Sequence, residues 1–226
     1  MSGTIANSLA IVAGALVGTM LKMGIGEKYK TIVMNAMGLS IVLVGLQMAL
    51  KSQNILVLIL ALTIGGLVGE FFNIDGLMNR FGELVTEKAG DRFGDVGKAM
   101  VNASLVFCIG AMAIVGSIEE GLTGNASILY AKAMLDGIIS IVFAASMGIG
   151  TALSALLVFL YQGSMTLGAG LLENVVTKDM IAEISGTGGL LILAIGTNML
   201  KMTDIKLANF LPALPLAAIL TAAGLF

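Results

Sequence analysis

Histidine and tryptophan are absent from this chain of 226 residues, cysteine occurs once, and charged residues make up only 12%. Without histidine there can be no His-ligated metal, no imidazole general base and no Ser-His-Asp triad. Cys108 has no partner for an internal disulfide, and one cysteine inside an apolar run says nothing about redox compartment. With no Trp and three Tyr, the aromatic belts expected at membrane interfaces are thin. Soluble domains carry about 25% charged residues. Half that charge, in a chain that is 58% hydrophobic with a mean hydropathy of +1.02, is the composition of a polytopic membrane protein. The net charge of -2 gives no reason to expect nucleic acid or an acidic partner.

What is present is a series of long uncharged runs: Ser2–Leu21, Thr31–Leu50, Ser52–Gly69, Ala99–Ile118, Gly137–Leu172, Ile184–Leu200 and Leu207–Phe226. A membrane helix needs about 20 mostly apolar residues. No basic region precedes the first run, whose first Lys follows it at Lys22, so that run is expected to be a retained membrane helix rather than a removable signal. The fifth run would extend roughly 54 Å as one helix, against a hydrocarbon core of about 30 Å. It must turn, and Gly148-Ile149-Gly150 is the place where two glycines flank one residue. The expectation is therefore an all-α transmembrane bundle of about eight membrane helices, forming a single membrane domain over residues 1–226. Helices one to three occupy about 3–72, helices four and five about 99–148, and helices six to eight about 150–226.

Basic residues then orient the bundle. One side receives Lys22, Lys28, Lys30, Arg80, Lys88, Arg92, Lys98, Lys201 and Lys206, and the other only Lys51 and Lys178. Cytoplasmic loops carry the excess, which predicts both termini outside. A seven-helix arrangement would scramble this asymmetry. Between the third and fourth helices, 73–98 is the one long polar segment. Ile74, Leu77, Met78, Phe81, Leu84 and Val85 recur there at three- and four-residue spacing. This pattern fits either an amphipathic helix lying on the inner membrane face or a solvated connector on the end of the bundle.

Thirty glycines are available for close helix packing, and Gly14-xxx-Gly18 and Gly65-xxx-Gly69 form small-xxx-small faces, for packing inside the bundle or for a homodimer. There is also an internal echo. GLSIVLVGLQM (38–48) matches GLLILAIGTNM (189–199) at five of eleven positions, with Gln47 and Asn198 each preceding the Met. Gly3-Thr4 and Gly150-Thr151 open the first and sixth helices alike. If the echo is more than shared composition, helices one to three repeat as six to eight in inverted orientation, a build that recurs in secondary transporters.

Ionisable residues inside membrane segments are costly and usually mark function. Asp136 lies about two turns inside the fifth helix. Lys132 precedes it at i,i+4 and Ser140 follows one turn deeper, so the three share one face. That line could carry a proton or cation, or the charged pair could simply lock two helices together. Asn35, Gln47, Asn102, Ser117, Gln162 and Asn198 are further polar residues in or near helices, each also readable as a helix–helix hydrogen bond. Gln162, Asn198 and Gln47 join Asp136, Lys132 and Ser140 as candidate ion or substrate ligands, Gln162 because Gly163 lets another backbone approach. Glu70 ends the third helix at the inner interface. Glu119 and Glu120 read as an outer vestibule or a wet loop, and Glu183 as a favourable charge at a helix N-terminus.

The stretches AMAIVGSIEEGLTGNASILYAKAMLDGIISIVFA, MGIGTALSALLVFLYQGSMTLGAG and MIAEISGTGGLLILAIGTNML, together with the opening GTIANSLAIVAGALVGTMLK, resemble the bacterial YqgA/YdfK-like membrane proteins. That resemblance covers nearly the whole chain. It implies a multi-pass protein of the prokaryotic cytoplasmic (inner) membrane and no particular activity. Asp136 falls in its LDG segment and Gln162 in its YQGS segment.

These features point to an integral membrane transporter or ion-coupled permease for a small solute or monovalent cation. A passive ion channel and a non-transporting accessory, sensor or scaffold protein are the alternatives. No nucleophile–base pairing argues for an enzyme, and no cofactor or metal is expected. The topology has a direct test. With single cysteines at Ser2, Glu87 and Thr123 in a Cys108-free background, an impermeant thiol reagent on intact cells should label the first and third and spare the second. Labelling at Glu87 would reverse the orientation.

Overall fold

The computed structural model describes residues 1–24, 27–80, 96–108, 111–172 and 175–224. Among them the chain is helical throughout, with no strand. The elements are α1 (Ser2–Gly24), α2 (Glu27–Ala49), α3 (Ile55–Phe71), α4 (Ile74–Arg80), α5 (Val96–Cys108), α6 (Ala111–Thr123), α7 (Ser127–Met147), α8 (Gly150–Leu167), α9 (Ala169–Leu172) and α10 (Lys178–Met199), then a 3-10 turn (Leu207–Phe210) and α11 (Ala213–Ala222). The 36-residue uncharged run does turn where the two glycines lie. α7 ends at Met147, Gly148 takes φ +101°, a conformation that favours glycine, and α8 begins at Gly150.

Ser2–Leu21, α7, α8 and α10 are each long and apolar enough to cross a membrane. The bent pairs α3–α4 (54°) and α5–α6 (63°) raise the number to as many as six if each is one broken span. The second and eighth expected spans correspond to shorter apolar helices, Gly38–Ala49 and Leu207–Ala222. Of the amphipathic segment 73–98, residues 81–95 lie outside the described residues.

The chain forms two compact units: Met1–Thr31 with Asn79–Val175, and Ile32–Met78 with Val176–Phe226. In the first, α1 runs parallel to α7. Gly3 meets Ala126 and Leu129, Gly14 meets Gly137 and Ser140, and Gly18 meets Ile141 and Ala144, so the two helices advance in step. A Cβ on Gly14 would run into the Gly137 carbonyl. The small-residue face of α1 is thus spent within the unit, on α7. α8 packs on α1 and on α5, where Gly150 meets Val96 and Ala99.

In the second unit, α2 and α10 pack antiparallel through the echoed segments. Gly38 lies on Gly196 and Gly45 on Gly189, and each pair is in mutual backbone contact. Gly65 and Gly69 of α3 rest on Ala213 and Asn209. Polar residues close the helix ends. Glu183 accepts from Ser52 Oγ (2.6 Å) and from the backbone N–H groups of Gln53 (2.8 Å) and Asn54 (3.0 Å), answering donors at the head of α3. Thr177 caps α10 through Met180 N at 3.2 Å.

The glycine contacts make a stability prediction. Gly45→Ala and Gly189→Ala each place a methyl against backbone of the facing helix, and overpacking of this kind costs about 1–3 kcal/mol. Gly170→Ala, with open space around it, should stay within about 0.5 kcal/mol of the parent. Thermal unfolding in detergent measures all three. Equal midpoints would mean that α2 and α10 do not pack through these glycines.

Candidate functional site

The first unit gathers its polar residues where α1, α6, α7 and α8 meet. Lys132 and Asp136 are both buried on α7, and the Lys132 ammonium pairs with Asp136 Oδ2 at i,i+4. The ion pair therefore lies within one helix. The cross-helix link is an amide on α1: Asn7 Nδ2 donates to the same Asp136 Oδ2 at 3.0 Å and to Gln162 Oε1 of α8 at 3.3 Å. A carboxylate in this setting is tolerable only with such partners. Asn7 and Gln162 are both fully buried.

Of the six residues marked in the sequence, Asp136, Lys132 and Gln162 come together. Ser140 is buried one turn below Asp136, where it meets Gly14 of α1 and donates to the Gly137 carbonyl at 2.9 Å. It serves the α1–α7 contact and is not bonded to Asp136. Asn198 and Gln47 belong to the second unit. Asn198 bonds the backbone of Ile205 (2.8 and 3.0 Å) and Thr203 Oγ1 (2.7 Å), tying down the loop after α10, and Gln47 is exposed on α2.

Two residues gain a place that the sequence reading did not give them. Asn7 is the link between three helices. Its signal in the sequence was an amide one turn beyond Thr4 in an uncharged run. Glu120 does not lie in a loop but is buried on α6. α6 continues to Thr123, which turns Glu120 inward while the neighbouring Glu119 bonds the exposed Asn125 at 2.6 Å. Glu120 Oε1 accepts from Gly3 N (2.8 Å) and Ser2 Oγ (3.0 Å) and pairs with the Met1 amine (2.9 Å), holding the head of α1.

In the second unit Glu70 does stand at a helix end. It accepts from Asn209 Nδ2 at 2.5 Å and pairs with Lys206 at 3.6 Å, exposed to solvent. Among the described residues no group of three or more Cys, Asp or Glu side chains is placed to hold a metal.

Apolar helices of membrane-crossing length around a buried ion pair make this a multi-pass membrane protein. The chain belongs to the family described as "Protein of unknown function (DUF554)", whose model matches residues 2–222. It is similar to the "Uncharacterized membrane protein YdfK" of Bacillus subtilis, at 38% identity over 95% of this chain and 93% of that one. It is also similar to the "Uncharacterized protein YqgA" of Escherichia coli, at 30% identity over 98% and 96%. No solved structure matches it.

The geometry predicts strong coupling between Lys132 and Asp136. Lys132→Met alone leaves a buried unpaired carboxylate and should cost about 3–5 kcal/mol. Lys132→Met/Asp136→Asn should recover most of that loss, because no charge remains. Asn7→Leu should cost about 1.5–3 kcal/mol by removing a donor from a charged acceptor. Unfolding midpoints of the three variants give the test, and a double variant as weak as Lys132→Met would refute the pairing.

Proposed function

We propose that this protein is an integral membrane transporter, an ion-coupled permease for a small solute or cation, with Asp136 as its ion-responsive group. The observation that carries this reading is the buried Lys132–Asp136 pair bridged by Asn7 to Gln162. Three helices converge there on a carboxylate in a membrane segment, the usual mark of an ion or proton pathway. Lys132 balances the charge of the resting site, Asn7 and Gln162 orient the carboxylate, and the protein performs no covalent chemistry. The reading includes an inner-membrane location with both termini outside, from the distribution of Lys and Arg.

It also includes an inverted repeat relating helices one to three to six to eight. Support comes from the reciprocal packing of the two echoed segments and from matching buried pairs, Thr4 with Asn7 on α1 and Thr151 with Ser154 on α8.

The test is flux in proteoliposomes carrying trapped proton-, sodium- and potassium-sensitive dyes. Asp136→Asn keeps size and hydrogen bonding, so it should fold and lose ion-dependent flux, and Lys132→Met/Asp136→Asn should not regain it. A destabilised single variant, a stable double variant and unchanged flux in both would reduce the pair to a structural element.

A further inference from the structure

Of the buried side-chain polar atoms without a hydrogen-bond partner among the described residues, six fall into two layers around the Asp136 cluster. Asn7 Oδ1, Ser117 Oγ and Gln162 Nε2 form one, and Thr4 Oγ1, Glu120 Oε2 and Thr166 Oγ1 the other. The register places them. Asn7 bonds Gln162, and one turn toward the head of α1 sets Thr4 near Thr166. Gly121 meets Thr166 across α6 and α8, so Ser117 stands level with Gln162 and Glu120 level with Thr166. All six residues are more than nine-tenths buried.

A buried hydroxyl can share a carbonyl of its own helix. Amide and carboxylate atoms have no such outlet and need partners. Among the described residues all three unpartnered atoms of that kind, on Asn7, Gln162 and Glu120, lie in this column. The second unit supplies the contrast. Glu183 also holds a helix head, but it uses both carboxylate oxygens, whereas the Gly3, Ser2 and Met1 contacts of Glu120 all fall on Oε1. Holding α1 therefore does not account for Oε2.

We infer that these two layers line a water-filled proton path, with Glu120 as the outer station and Asp136 as the inner one, so that the coupling ion is a proton. This rests on the transport reading in taking Asp136 as the ion-responsive group. The donors and acceptors decide against a metal cation. Asn7 Nδ2 must face the Asp136 carboxylate and Gln162 Oε1, which leaves Gln162 Nε2 as a free donor, and the Lys132 ammonium stands in the same cluster. Both repel a metal ion, while a chain of water and hydroxyls accepts and donates in turn. Glu120 takes a proton from the outer solution, passes it along that chain to Asp136 and is again a carboxylate; protonated Asp136 releases Lys132, and loss of that proton to the inner solution restores the Lys132–Asp136 pair. The other titratable and charged groups on the packed elements are the Met1 amine just before α1, Lys22 on α1, Lys98 and Cys108 on α5, Glu119 on α6, Tyr130 and Lys132 on α7 and Tyr161 on α8.

Three readouts on the full chain test this. In a Cys108→Ala background, single cysteines at Thr4, Ser117 and Thr166 should react with a small cationic methanethiosulfonate within about tenfold of an exposed Thr123→Cys control, while Ala15→Cys, fully buried on α1 two turns beyond Asn7, stays inert. Infrared difference spectra between about pH 2 and 9 should show a carboxyl band that Glu120→Gln removes and another that Asp136→Asn removes. Pyranine-reported proton uptake into liposomes should fall at least about tenfold in Glu120→Gln. If that variant does not fold, Thr166→Val, which touches none of the bonds of Glu120, should slow uptake in the same assay.

Inert cysteines, or uptake lost in Asp136→Asn but retained in Glu120→Gln, overturn the path and leave the transport reading standing. Unchanged uptake in Asp136→Asn overturns the transport reading and removes the inner station with it.

Discussion

A carboxylate inside hydrocarbon has to be answered by the protein, and the first unit is arranged around answering Asp136. Lys132, one turn away on the same helix, supplies the opposite charge, and Asn7 supplies a donor from α1. For an asparagine to reach, α1 and α7 must approach until their backbones touch. Gly14, Gly18 and Gly137 make that approach available, and the parallel run keeps it in register from Gly3 to Ala144. The glycine stripe and the polar cluster are thus one arrangement. Without the stripe the amide would not reach, and without the amide the close contact would gain only packing between apolar helices, which lipid nearly matches.

The second unit uses the same close approach without a charge at its centre. α2 and α10 meet backbone to backbone at Gly38–Gly196 and Gly45–Gly189, and their polar residues serve helix ends. Glu183 answers the open N–H groups at the head of α3, Asn198 ties the loop after α10, and Asn209 joins Glu70 to the backbone of Asp75. These are the positions where unsatisfied backbone groups fall, so side chains are drawn there whatever the protein does.

Composition and the length of uncharged runs sufficed for the helical membrane class and for the break at Gly148, because both follow from bilayer thickness and backbone sterics. The Lys132–Asp136–Ser140 line was legible through helix periodicity alone. Ser140 nevertheless turned out to serve packing, since periodicity fixes a face but not what lies opposite it. Asn7 was hidden because its role depends on α1 and α7 running side by side, a contact 129 residues apart in sequence. Glu120 was misplaced because a Glu-Glu pair before Gly reads as a loop, whereas the helix runs on and about 100° per residue sends the two side chains to different faces. Asn198 and Gln47 were chosen by their matching places in the echo, and each side chain went to local needs.

The placement of the ion pair within one helix bears on what it is for. A clasp built to join helices would set its two charges on different helices, and the joint would loosen whenever one was neutralised. Here the joint is an uncharged amide. Asn7 Nδ2 can donate to Asp136 whether that side chain is a carboxylate or, through its carbonyl oxygen, a carboxylic acid. The contact between α1 and α7 therefore does not require a fixed charge on Asp136. Such a decoupling of packing from charge state is what a group must have if it is to gain and lose an ion repeatedly in the middle of a tightly packed bundle.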